Sequence, residues 1–321
     1  MSDFVERTSV PGDGFTLESP LFHVTQVVDS VDRARDVFER LFRRPIREGD
    51  YKQGRWALFT RVGDALVEAM IPDMPAAGMR RFVDRFGSHW HSLGWYVDGI
   101  DALAETLLAH DVNLVDGQWK PLDRPPVPRR TVEGSERDDG LPEGWWSAVF
   151  WTQLRAGHDI HGLHEFCQPM TKHQLARWAG AEPLADDPLT VRGTSHLTTV
   201  VADRTTAANM WSEVLGGRMA GEKDNELLGA RSAFVVMGGD PGVTLEFAEP
   251  NTSGPAQVEL DACGVSILYS TTFLVDDLAK VRAHLSAQDF PIELEQRAQL
   301  VTDPTATAVR YGFADSPLQL L

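Results

Sequence analysis

The 321 residues carry a formal net charge of −17 with 42% hydrophobic and 24% charged residues, a balance that supports packed cores and excludes a disordered scaffold. So large an acidic excess repels nucleic-acid phosphates and anionic lipid headgroups, which leaves a small molecule as the expected partner, with homodimer formation left open. Two cysteines, Cys167 and Cys263, cannot make a disulfide framework, and with no basic and apolar leader and no apolar run near the ~20 residues of a membrane helix a cytoplasmic protein is expected.

Residues 1–19 read as an N-terminal extension. Phe22 to Val28 then reads as a strand, and Val31, Ala34, Val37, Phe38, Leu41 and Phe42 follow at helical spacing. The segment closes on a strand, Ala65 to Met70, that carries Glu68 and is stopped by Pro72, which cannot donate to a ladder. The pattern restarts with Leu93 to Val97 and a stripe of Ile100, Leu103, Leu107 and Leu108, and it closes on Glu165 and Pro169. Between these lies an insertion, 117–146, rich in proline and acid and ending in Trp145 and Trp146. An irregular stretch of that length reads as a lid over a pocket.

Residues 171–191 read as a linker. A third copy begins with His196 to Val201, continues through Ala207, Met210, Trp211, Val214 and Leu215, and ends with Glu246 and Pro250. A fourth has the strand Thr271 to Val275 and the stripe Leu278, Val281 and Leu285. After each helix come short strands separated by turn residues. The expected fold is therefore α+β, four βαβββ modules at 20–73, 88–170, 192–251 and 264–321, paired into two tandem domains, 20–170 and 192–321.

The segments His23-Val-Thr-Gln-Val-Val-Asp-Ser-Val-Asp, Trp95-Tyr-Val-Asp-Gly-Ile-Asp, His196-Leu-Thr-Thr-Val-Val and Phe273-Leu-Val-Asp-Asp-Leu resemble the vicinal-oxygen-chelate superfamily, as do the Glu-x-x-x-Pro ends. That superfamily groups glyoxalase-like, bleomycin-resistance and extradiol-dioxygenase proteins. The resemblance implies that paired modules form a cupped sheet holding one divalent ion, Fe, Mn, Co, Ni or Zn, with ligands His23, Glu68, His91 and Glu165. Aligning Val97 with Val28 puts Ser92 rather than His91 at the ligand position, and a bulge, with Gly94 as its expected place, would return His91 to the cup.

In the second pair His196 and Glu246 remain, but Ser270 and Gln319 stand where the other two ligands are expected. This half reads as a vestigial, metal-free site. His161, sharing a strand face with Glu165, is expected to serve acid–base chemistry, and Trp95, Trp145 and Trp146 to line an apolar or aromatic substrate pocket. The resemblance implies a metal-dependent isomerase, epimerase or lyase, with Glu68 or Glu165 as the proton-transferring carboxylate. Two readings stand beside it: an Fe(II) extradiol dioxygenase and a non-catalytic protein that sequesters a small molecule.

Overall fold

The structure is a computed structural model, and it describes residues 8–11, 14–49, 54–73, 78–116, 119–127, 146–154, 160–169, 186–238 and 242–316. Each module is a strand, a helix and three further strands. The first is β2 (Thr16–Val27), α1 (Val31–Val37), β3 (Arg47–Glu48), β4 (Arg55–Val62) and β5 (Ala65–Pro72). The second is β6 (His89–Asp98), α3 (Ile100–Ala109), β7 (Leu114–Asp116), β8 (Trp146–Thr152) and β9 (His164–Pro169). Strands in the order β3-β4-β5-β2-β6-β9-β8-β7 make one curled sheet, with β2 antiparallel to β6 at its centre. Residues expected as an extension add to it, because β1 (Thr8–Pro11) pairs with the start of β2.

The second half repeats this plan with β10 (Val191–Val200), α4 (Arg204–Asn209), β11 (Arg218–Asn225), β12 (Ala230–Met237) and β13 (Val243–Pro250). It continues through β14 (Ile267–Val275), α6 (Leu278–Ala287), β15 (Ile292–Gln296), β16 (Gln299–Thr302), α7 (Pro304–Thr307) and β17 (Arg310–Ala314). Its sheet order, β11-β12-β13-β10-β14-β17-β16-β15, mirrors the first. Local chemistry starts the helices: Ser30 Oγ accepts from Arg33 N–H, and Asp203 and Asp277 carboxylates accept from the first turns of α4 and α6. Before α3 the cap is Gly99 at φ 78°, and a Cβ there would lie 2.4 Å from the Gly14 carbonyl oxygen, so glycine is required.

Helices join the modules within each half: α2 (Gly78–Phe86) leads into β6, and α5 (Pro255–Cys263) leads into β14. Both reach one apolar cluster in which Val27, Met70, Met79, Phe82 and Val83 of the first half meet Cys263, Val265 and Ile267 of the second. The halves also meet through Trp95 against Trp211, with ring centroids 5.2 Å apart. Among the described residues no helix is long and apolar enough to cross a membrane. The insertion read as a lid, including Trp145 and the side chain of Trp146, lies largely outside the described residues.

Candidate functional site

Strand register brings three of the expected ligands onto the concave face of the first sheet. Thr25 pairs with Glu68 across the parallel β2–β5 ladder, Gly94 pairs with Glu165 across β6–β9, and His23 faces Gly94 across the antiparallel centre. Directly paired residues share a sheet face, so His23, Thr25, Glu68 and Glu165 all point into the cup. His23 Nε2 lies 3.1 Å from Glu165 Oε2 and 3.7 Å from Glu68 Oε2. Thr25 Oγ1 donates to Glu68 Oε2 at 2.8 Å, and Cys167 Sγ donates to Glu165 Oε1 at 3.3 Å.

Gly94 makes this possible. A Cβ there would sit 2.5 Å from Cε1 of His23, so the glycine leaves room for the imidazole and is not the site of the bulge. The bulge falls on His91 itself: Thr25 pairs with Ser92 and Gln26 with Trp90, leaving His91 as the extra residue. His91 Nδ1 lies 2.9 Å from Ser92 Oγ, and its ring packs 4.8 Å from that of Phe82, which α2 lays over this end of the cup. Both alternatives for the fourth position thus belong to one bulge.

Burial is the largest influence on the His23 imidazole and pulls it down, but the hydrogen bond to Glu165 and the charges of Glu165 and Glu68 outweigh it and raise the pKa. Burial likewise pushes Glu165 up, while the hydrogen bond and charge of His23 bring it below the usual carboxylate range. At His91 burial wins and lowers the pKa to about 3, against the pull of Glu165. Arg55 on β4 adds positive charge that is felt at both Glu165 and His91. The site is therefore two carboxylates around an imidazole whose protonated form they favour, beside an imidazole that burial holds neutral.

Two other expected residues lie elsewhere. Trp95 alternates with Gly94, so it points away from the cup. It is fully buried against Trp211, and its Nε1 donates to His164 Nδ1 at 3.2 Å. His161 adopts φ 60° and is followed by Gly162 at φ 125°, a reversal that turns its ring to the second half, where Nδ1 lies 3.1 Å from Ser266 Oγ. The aromatic wall of the cup is instead Trp151, the cross-strand partner of Glu165, with Trp119 stacked on it at 5.6 Å between centroids. Its signal was Trp151 in the strand that pairs with that of Glu165. Arg55, Thr25 and Cys167 gave no comparable signal.

The second cup differs at each corresponding position. Thr198 pairs with Glu246 and with Ser270, as Thr25 pairs with Glu68 and Ser92, so His196 and Glu246 correspond to His23 and Glu68. Tyr269 occupies the bulge in place of His91. Thr272 pairs with Gly312 where Gly94 pairs with Glu165, so glycine replaces the second carboxylate. Gln319, expected there, lies outside the described residues. Glu246 accepts from Thr198 Oγ1 at 2.6 Å, Asn225 Nδ2 at 2.7 Å and Ser232 Oγ at 2.6 Å, which occupies both its oxygens. His196 forms one wall of an open cavity of about 750 Å³ with Asn225, Phe234 and Gln299.

Residues 195–303 match the family described as Glyoxalase/Bleomycin resistance protein/Dioxygenase superfamily. No curated protein sequence matches the chain. Among solved structures, a triple mutant of 4-hydroxymandelate synthase from Streptomyces coelicolor is similar over 93% of each chain, with TM-score 0.61 at 12% identity. A halotolerant catechol dioxygenase, BphC, is similar over 94% of this chain and 89% of its own, with TM-score 0.52 at 12% identity. A fusion of a xylose isomerase-like TIM barrel with a 4-hydroxyphenylpyruvate dioxygenase is similar over 95% of this chain and 50% of its own, with TM-score 0.55 at 11% identity. At such identities the likeness is one of fold.

Proposed function

We propose that this chain, two vicinal-oxygen-chelate domains in tandem, is a metal-dependent enzyme of the isomerase, epimerase or lyase type whose single active site is the cup of the first domain. The observation that carries the reading is the placement of His23 between Glu165 and Glu68 on three strands of one concave face, at 3.1 and 3.7 Å. Ligand atoms about 2.1 Å from one ion stand roughly 3.0 to 3.5 Å apart in octahedral or tetrahedral geometry, so the imidazole and carboxylates suit a divalent ion of the Fe, Mn, Co, Ni or Zn class. Bound there, such an ion would supply Lewis-acid stabilisation to negative charge developing on adjacent substrate oxygens.

The two carboxylates are differently held, which divides their roles. Glu165 is fixed by His23 and Cys167 and has a lowered pKa, which makes it a ligand that stays ionised and a poor base. Glu68 accepts from Thr25 at 2.8 Å and stands farther from His23, so it is the carboxylate with freedom to take a proton from substrate and return it. Trp151 and Trp119 offer a flat apolar wall beside Glu165, which favours a substrate with an aromatic or planar portion.

Elemental mass spectrometry on the purified protein tests the reading. A metal lost in both His23→Ala and Glu165→Ala supports it, and 1,2-dioxygenated and α-carbonyl substrates are then screened under nitrogen and under air. Metal content unchanged by both substitutions overturns it. A second reading, ring-cleaving oxygenation, draws on the aromatic wall and on His23, His91 and Glu165 as two imidazoles and a carboxylate. Oxygen consumption with a catechol separates it from proton transfer.

A further inference from the structure

Outside both cups, His89, Glu259 and Cys263 meet where the two domains touch. Glu259 and Cys263 are one turn apart on α5, so they leave the helix on the same face, and His89 opens β6 opposite them. All three are buried, and one ligand atom from each lies within 4.8 Å of the other two, the only such trio among the described residues. His89 Nε2 is 2.7 Å from Glu259 Oε1, and Cys263 Sγ is 3.5 Å from the same oxygen.

The other nitrogen of His89 orients the ring. Nδ1 lies 3.0 Å from the Trp90 carbonyl oxygen, which can only accept, so Nδ1 carries a hydrogen and Nε2 faces the carboxylate. A nitrogen and a carboxylate oxygen that close need a positive centre between them, either a second proton or a metal ion. The brace from Nδ1 to a backbone carbonyl is the outer contact that metal-binding histidines use. Arg310 Nη1 donates to Glu259 Oε2 at 2.9 Å, which fixes the carboxylate and leaves Oε1 for the histidine side. A cavity of about 250 Å³ opens beside the trio, bordered by Ser88, Tyr269 and Val309, and gives solvent access to a fourth coordination position.

We propose that His89, Glu259 and Cys263 form a second metal site, for a zinc-like ion that accepts thiolate, imidazole and carboxylate together, and that it clamps α5 of the second domain to β6 of the first. Binding there displaces the thiol hydrogen of Cys263 to solvent, and the sulfur becomes a thiolate ligand. The site is independent of the chemistry in the first cup.

Cobalt(II) titration of the full-length, metal-stripped protein reads the site directly, because a cobalt–thiolate bond gives a near-ultraviolet charge-transfer band. The band is expected in the wild type, in Cys167→Ser and in Glu165→Ala. It should vanish in Cys263→Ser, and in His89→Gln cobalt should bind at least tenfold more weakly, with circular dichroism confirming that each variant folds. Zinc should raise the melting temperature of Glu165→Ala and leave that of its combination with His89→Gln unchanged. No band in the wild type, or a band that survives Cys263→Ser or disappears with Cys167→Ser, overturns the proposal and leaves the trio as an ion-pair network with Arg310.

Discussion

The two cups share one strand plan and differ in how they treat their carboxylates. In the first, Gly94 makes room for His23, and Glu165 enters from the facing strand. In the second, Thr272 and Gly312 exchange those roles, and a Cβ on Gly312 would lie 2.2 Å from Thr272 Oγ1, so no carboxylate side chain fits there as the site stands. The remaining Glu246 is satisfied by three donors, whereas Glu68 accepts from Thr25 and faces a second carboxylate across His23. The lesson is that a shared His and Glu do not define a site. What does is which neighbouring groups surround those ligands, a second carboxylate in the first cup and three neutral donors in the second.

The largest expected difference between the cups is in metal content. His23→Ala and Glu165→Ala should empty the first cup and abolish turnover, while His196→Ala and Glu246→Ala should leave its metal in place. Equal metal loss from both sets, read by elemental mass spectrometry, would break the comparison. Gly94→Ala should act almost as strongly without removing any ligand, because the added methyl occupies the position of the His23 ring. Retained metal in that variant would show that the imidazole can move aside. Glu68→Gln should keep the metal yet lower kcat by about 100-fold or more, the usual contribution of a positioned base.

Stability should reverse the ranking. Glu246 is 1% exposed, and Glu246→Ala strands the buried donors of Thr198 and Ser232, at about 1 kcal/mol or more for each, while half-buried Asn225 can turn to the open cavity, so a loss of about 2 kcal/mol is expected. Glu68→Ala strands Thr25 and relieves the crowding of two carboxylates, so about 1 kcal/mol is expected in metal-free protein. Urea unfolding of both variants compares them directly. Similar losses would mean that the second cup is not the structurally committed one.

The repeat was legible because Glu-x-x-x-Pro closes three of the four modules and helical stripes follow the first strand of all four, and the family resemblance then implied His23, Glu68 and Glu165 as ligands. Register was not legible. The bulge at His91 follows from how β2 and β6 slide against one another, which no local pattern encodes, and the same is true of Gly312 as the counterpart of Glu165. Trp95 shows the cost: a tryptophan beside the site in sequence sits on the opposite face, while Trp151, fourteen positions before Glu165, stands next to it through a cross-strand pair. The trio of His89, Glu259 and Cys263 is completed by contact between domains, so the helical spacing of Glu259 and Cys263 gives no hint of His89.

The dependence on pH is where corresponding residues differ in sign. His23 has a raised pKa, so in metal-free protein its contribution to stability is full below pH 6.5 and is lost as pH climbs through the folded value. His196 is lowered, burial outweighing Glu246, and its contribution behaves oppositely: the folded state refuses a proton that the unfolded chain accepts, so stability falls as pH drops below 6.5. His91 and His164, each lowered to about 3, add to that acid loss, about 1.4 kcal/mol per group for every pH unit below 6.5. Urea unfolding of metal-free protein at pH 5.5, 6.5 and 7.5 should therefore show His91→Gln flattening the acid side and His23→Gln flattening the alkaline side. If both variants change the same side, the two imidazoles are held alike, and the electrostatic contrast between a carboxylate-flanked histidine and a desolvated one is wrong. If they separate, the first cup stores a proton at His23 that a divalent ion must displace, and its metal affinity should climb with pH over the range in which His23 titrates.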